Sequence, residues 1–228
     1  MPAEPMPPTA VSMSRHVAVA VGPGGHTFRL FGCFGGLPAP AGMAVIAFPK
    51  RTTYNPYLEH GERCQMSMSE PNDRSAHWDQ IYQQKSSTAV GWYRSHLETS
   101  LRLLAESGLD ASSRVIDIGG GASTLVDDLI CLGVGAVTVL DLSAASLQVS
   151  QERLGTRADQ ITWLTSDITR IALPEAGFTH WHDRAVMHFL TDAQDVRAYA
   201  AQAASAVVPG GHAVIGGFAP DGPERCSG

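Results

Sequence analysis

Lysine is nearly missing from this chain: Lys50 and Lys85 are the only two in 228 residues. Arginine supplies the remaining positive charge, and 16 Lys and Arg face 22 Asp and Glu for a formal net charge of -6. No basic cluster of the kind that tracks phosphates appears, so nucleic acid is not an expected partner. Cysteine is also scarce. Cys33, Cys64, Cys131 and Cys226 lie far apart with no C-x-x-C pair, which argues against a disulfide framework or a zinc site and for reduced thiols in the cytoplasm. Long apolar runs are absent too. No stretch approaches the roughly 18 residues that a membrane helix needs, and "HVAVAV" after Arg15 is too short for a signal peptide.

What is present divides the chain in two. Residues 1–70 are rich in Pro and Gly and show no sustained period of 2 or 3.6. They read as an N-terminal extension of low order, such as an upstream start codon would add, with "MAVIAFP" as one short strand. Residues 71–228 read as a single α/β domain. "HWDQIYQQK" and "SHLETSLRLLAESG" are amphipathic helices, and strands and helices then alternate from Arg114. The expected strands are "RVIDI", "AVTVLD", "ITWLTSD", "FTHWHD" and "HAVIGGF". Such alternation signals right-handed βαβ units, a parallel sheet and helices on both faces. The last strand is expected to leave an open sheet edge, because the chain stops soon after it.

The chemistry gathers around "VIDIGGGASTL". Gly119, Gly120 and Gly121 follow a strand and precede a helix, where a ligand can approach the backbone. A second strand ends on Asp141, 20 residues after Gly121, the spacing at which an acid accepts from ribose hydroxyls. Together these imply a ligand containing a nucleoside. Thr124 stands where a dinucleotide loop prefers its third glycine, and Asp117 would set a negative charge beside a pyrophosphate. Both weaken a nicotinamide reading, whereas a carboxylate suits a cationic ligand.

Here the motifs resemble those of class I S-adenosylmethionine-dependent methyltransferases. "VIDIGGGAST" is similar to their first motif, "VTVLDLS" to the second and "LTSDIT" to the third. "WHDRAVMHFL" resembles the fourth-strand segment of a bacterial branch related to eukaryotic elongation-factor lysine methyltransferases. The resemblance implies a Rossmann-like sheet lacking the last strands of that fold, with S-adenosylmethionine as cofactor. It implies that Gly119, Gly120 and Gly121 let the cofactor pass, and that Asp117 lies beneath its amino group. Asp141 would hold the ribose and Leu142 would pack on the adenine. Asp167 would accept from the adenine amino group, with Ile168 on the ring's other side. Asp183 would end the fourth strand near the methionine and the transferable methyl group.

The methyl acceptor is expected to be a small molecule or a protein side chain. The Asn/Asp-Pro-Pro-aromatic motif of exocyclic-amine methylation is absent, with "HDRA" in its place. Asp183 and His188 are the candidate catalytic bases. Trp92 and Tyr93 either cover the cofactor or pack a linker on the sheet. His180, His182 and His188 cluster in sequence, and His180 and His182 share a strand face, but no metal site is expected. Two rival readings remain: a nicotinamide-dependent oxidoreductase, and a truncated, non-catalytic cofactor-binding domain.

Overall fold

The computed structural model describes residues 43–47, 71–84, 90–184 and 186–217. The remainder of the N-terminal extension and the tail after Gly217 lie outside them. Six strands form one sheet in the order β1-β6-β5-β2-β3-β4. They are β1 (Met43–Ala47), β2 (Arg114–Ile118), β3 (Ala136–Asp141), β4 (Ile161–Thr165), β5 (Phe178–Arg184) and β6 (Val207–Gly216). Pairings β6–β5, β5–β2, β2–β3 and β3–β4 are parallel. The sheet is therefore the expected parallel α/β sheet, with one antiparallel addition.

That addition is β1. It pairs antiparallel with β6, Met43 opposite Gly216 and Ala47 opposite His212. The edge expected to stand open is thus covered by a strand from the N-terminal segment. "MAVIA" is the strand read in the sequence, but its partner lies at the other end of the domain.

Five helices complete the layers: α1 (Pro71–Gln84), α2 (Glu98–Glu106), α3 (Leu125–Cys131), α4 (Ala144–Leu154) and α5 (Ala193–Ala206). Side chains alternate across a strand, and the two cores follow that alternation. Val115, Val137 and Val139 pack with Leu104 of α2, Leu125 of α3 and Leu147 of α4. Ile116, Ile118 and Trp181 face the other way, onto Tyr199 and Ala203 of α5. β2 reads as an apolar run because it is covered on both faces.

Helix ends follow their local chemistry, with one exception. Ser143 caps α4 by accepting from Ser146 N, and Gly155 ends that helix with φ of 57°. Asp192 caps α5 through Gln194 N. α3 is met at its start by Ser123, whose Oγ accepts from Leu125 N at 3.3 Å, while Thr124 makes no side-chain cap. Thr124 Oγ1 instead donates to the carbonyl of Arg94 at 2.9 Å, tying the glycine loop to the segment before α2. The "PGG" expected to close α5 lies inside β6, where the β5–β6 register shifts between Phe178 and His180.

Candidate active site

The carboxyl ends of β2, β3 and β5 meet at the glycine loop. The amides of Gly119 and Gly120 both donate to the carbonyl of Leu140, at 2.7 and 3.2 Å. The loop therefore folds back over the end of β3. Gly119 has φ of 67°, and a Cβ there would run into Val186. Gly121 has φ of 26°, and its Cβ would stand 2.6 Å from Asp141 Oδ2. Only glycine meets both requirements, a left-handed backbone and close approach. The glycines draw two strand ends and the segment after β5 onto one spot.

Asp117 is 2% exposed at the root of the loop. Its Oδ1 lies 2.7 Å from His182 Nδ1. Its Oδ2 is buried and has no hydrogen-bond partner among the described residues. A Cβ on Gly120 would come within 2.5 Å of that Oδ2, so the oxygen sits directly under the loop. An orphaned buried carboxylate oxygen is costly.

Asp141 closes β3 beside it. Oδ1 accepts from Ser143 N at 2.8 Å. Burial raises the carboxyl to about 6, and the charges of Asp117 and Asp79 push the same way against hydrogen bonds from Ser143 and Ser146. The helix α1 lies over this corner. Asp79 Oδ1 accepts from Ser143 Oγ at 2.6 Å and Ala145 N at 3.3 Å. Ser75 Oγ donates to the carbonyl of Leu142 at 3.1 Å, placing half-buried Leu142 beneath α1.

An aromatic group borders the loop. Trp78 of α1 meets Trp92 and Phe189 edge-on, with ring centroids 6.0 and 5.4 Å apart. Trp92 Nε1 donates to Tyr82 Oη at 3.2 Å, and Arg184 donates to the carbonyl of Trp92 at 2.8 Å. Trp92 thus packs α1 against the end of β5. Burial pushes the Tyr82 phenol up and the Arg184 guanidinium down from their ordinary values.

Asp167 follows β4 and turns its Oδ1 onto Thr169, accepting from N at 2.8 Å and Oγ1 at 2.7 Å. Ile168 is 3% exposed and packs in the α5-side core.

Asp183 lies near the end of β5. It sits on the α5 face, opposite to Asp117, and is fully buried. Oδ1 accepts from Val186 N at 2.7 Å, while Oδ2 accepts from Met187 N at 3.0 Å and Tyr199 Oη at 2.6 Å. Burial raises this carboxyl to about 6, opposed first by the Tyr199 hydrogen bond. Both oxygens hold the turn after β5, an arrangement unlike that of a base awaiting a proton. His188 lies on that turn, its ring 4.2 Å from the Phe189 ring between centroids, and burial lowers its value.

His180 and His182 project from β5 on the face opposite Asp183. His182 bridges Asp117 and Ser100, and His180 lies within hydrogen-bond distance of Thr179 Oγ1 and the Ser107 carbonyl. Ser100, Tyr199 and Asp79 were not singled out by sequence, because nothing local to each marks its partner. A cleft of about 780 Å³ between α4 and β4, lined by Leu147, Gln151 and Trp163 among others, includes neither the loop glycines Gly119–Gly121 nor Asp117, Asp141, Asp167 or Asp183.

Residues 115–211 match the model of a methyltransferase domain family. Mouse eEF1A lysine and N-terminal methyltransferase is 29% identical over 121 residues, 53% of this chain and 17% of that protein. Its human counterpart is 28% identical over 120 residues, 52% of this chain and again 17% of the relative. The chain therefore spans a small part of these relatives' length. Among solved structures, the 1,6-didemethyltoxoflavin-N1-methyltransferase of Burkholderia thailandensis superposes with a TM-score of 0.55 at 18% identity, over 83% of this chain and 75% of that one. The glycine loop and its flanking strand ends fall inside the matched segment, and these likenesses support a class I S-adenosylmethionine-dependent methyltransferase.

Proposed function

We propose that this chain transfers a methyl group from S-adenosylmethionine to a nucleophile on a small molecule or a protein side chain. The orphaned Oδ2 of Asp117 carries this reading. It is a buried carboxyl acceptor with no donor among the described residues, set directly under a glycine cradle. An ammonium group reached through that cradle would relieve it, whereas a pyrophosphate would meet repulsion. That charge argument favours the methyl donor over the nicotinamide rival.

The cofactor, when bound, supplies a methyl group already activated on a sulfonium. The chain's task is then to align the reactants and exclude water. Gly119 and Gly121 allow the close approach, Asp117 accepts from the amino group, and Asp141 accepts from the ribose hydroxyls. Leu142 under α1 and Asp167 after β4 flank the adenine. Asp183 acts as a positioning residue: it fixes the Val186–Met187 turn that overlies Gly119. His188 on that turn is the candidate base; its lowered value keeps it neutral near pH 7, able to take a proton from an acceptor. Trp78, Trp92 and Phe189 shield the site from water.

A cytoplasmic setting fits the scattered cysteines. No helix among the described residues is long and apolar enough to cross a membrane. The two mammalian relatives are named for methylating a lysine and an N-terminus of eEF1A, which makes a protein amine one acceptor to test.

Titration calorimetry with S-adenosylhomocysteine and, separately, NAD tests the cofactor. Saturable binding of adenosylhomocysteine with none of NAD is expected, and the reverse preference would overturn the reading.

A further inference from the structure

We infer that His182 orients the cofactor-facing carboxylate of Asp117, so that the buried chain Ser100–His182–Asp117 governs how the site holds the amino-acid end of its cofactor. The inference rests on the methyl-transfer reading above and adds residues to it.

His182 is 1% exposed and Ser100 is 1% exposed. His182 Nδ1 lies 2.7 Å from Asp117 Oδ1, and Nε2 lies 2.9 Å from Ser100 Oγ. A carboxylate only accepts, so Nδ1 carries the proton toward Asp117. Nε2 then accepts from the Ser100 hydroxyl, and a neutral ring satisfies every partner. The arrangement has the order of a serine hydrolase triad, but it is closed. The hydroxyl is sealed inside α2, where no acyl group reaches it.

The chain does two things for Asp117. First, the Nδ1–H bond consumes Oδ1, and the carboxyl plane then directs Oδ2 at the glycine loop. Second, it supplies the only charge-assisted bond that the carboxylate has among the described residues. Strand register prepares the contact. Asp117 and His182 are paired across β2 and β5, and both side chains project toward α2, whose Ser100 completes the chain.

Two ligands separate this role from a general structural one. S-adenosylhomocysteine carries the amino-acid end; 5′-methylthioadenosine shares the nucleoside and thioether but lacks it. His182→Asn keeps an amide donor near the Nδ1 position, while His182→Gln reaches toward Ser100 and leaves Asp117 undonated. Calorimetry is expected to show His182→Gln weakening adenosylhomocysteine binding by about tenfold or more, the scale of a lost hydrogen bond to a charged group. Methylthioadenosine affinity should stay within about twofold of wild type, since its contacts are untouched. His182→Asn should recover most of the adenosylhomocysteine affinity.

Near-ultraviolet circular dichroism reports whether each variant folds. If either fails, Ser100→Ala carries the same comparison, with a loss of about threefold for adenosylhomocysteine alone, as for one neutral hydrogen bond. Equal losses for both ligands, or unchanged adenosylhomocysteine binding, would overturn the inference while leaving the cofactor reading intact. Wild-type protein that binds neither ligand would sink both.

Discussion

The hydroxyl of Tyr199 donates to Asp183 Oδ2 over 2.6 Å while itself accepting from the indole of Trp181 at 2.9 Å. This single contact ties α5 to the end of β5 and decides which way Asp183 works. With both oxygens engaged by Tyr199 and two backbone amides, Asp183 belongs to the scaffold beneath the site.

Tyr199→Phe should therefore lower stability more than it lowers binding. The change leaves Asp183 one donor short and the Trp181 indole without its acceptor, costing about 1–3 kcal/mol. Urea unfolding should show an earlier midpoint, with adenosylhomocysteine affinity changed by less than about threefold once the folded fraction is accounted for.

Asp141→Ala tests the ribose assignment. Losing charge-assisted acceptors should weaken adenosylhomocysteine binding by about 1–3 kcal/mol. Apo stability should not fall in parallel, because the carboxylate is held in the fold against the cost of burial. Unchanged affinity by calorimetry would remove Asp141 from the site.

Gly121→Ala should abolish high-affinity cofactor binding. At φ of 26° the added Cβ would stand 2.6 Å from Asp141 Oδ2 and 2.7 Å from Ser146 Oγ. The methyl must displace the Asp141 carboxylate, and the strain is of order 1–3 kcal/mol for a left-handed residue. Native-like circular dichroism with binding weakened at least about tenfold is the expected pair of results.

The pH dependence of stability and of binding should run in opposite directions. Asp141 and Asp183 both have folded values raised to about 6 from the ordinary 3.8, chiefly by burial. Between those values the folded state holds these protons more tightly than the unfolded chain. Their contribution is thus fully present below 3.8, is lost as pH rises toward 6, and is constant above. Adenosylhomocysteine binding needs Asp141 ionised, so affinity should fall as pH drops through 6. His180, His188 and His212, lowered by burial, contribute with the opposite sign, so denaturation and calorimetry from pH 5 to pH 8 are read as differences between wild type and Asp141→Asn, and parallel differences would contradict the Asp141 assignment.

Asp79→Ala should loosen α1 from the corner it covers. Its Oδ1 serves both Ser143 Oγ and the amide of Ala145 at the start of α4. Loss of such a cap costs about 0.5–2 kcal/mol. Hydrogen exchange should rise over residues 71–84 and in the first turn of α4, while β2 and β3 keep their protection.

The sheet was legible because its signals are local. "RVIDI" and "AVTVLD" are short apolar runs that end on turn residues, and their bounds match β2 and β3. Gly119, Gly121, Asp117 and Asp141 could be named because the glycine-to-acid spacing reflects one βαβ unit. The facing of Asp183 was not legible. Its position at a strand end resembles that of Asp141, but a two-residue periodicity sends it toward α5, where Tyr199 waits 16 positions later in sequence. The partner of His182 on α2 lies 82 positions away, and only the tertiary fold brings it there. The covering of β6 was missed for the same reason, since nothing in "MAVIA" says which edge it will choose.

β1 leaves the ribosome before every other strand of the sheet and pairs with the last one. While α1 to β5 are being made, an apolar segment must wait with its backbone unpaired, and the domain it will join has no finished edge to offer. Closing so long a loop carries an entropic cost that no local contact offsets in advance. The interval between synthesis of the first and last strands is thus the vulnerable period of this protein's biogenesis, when chaperone protection of the nascent segment would matter most.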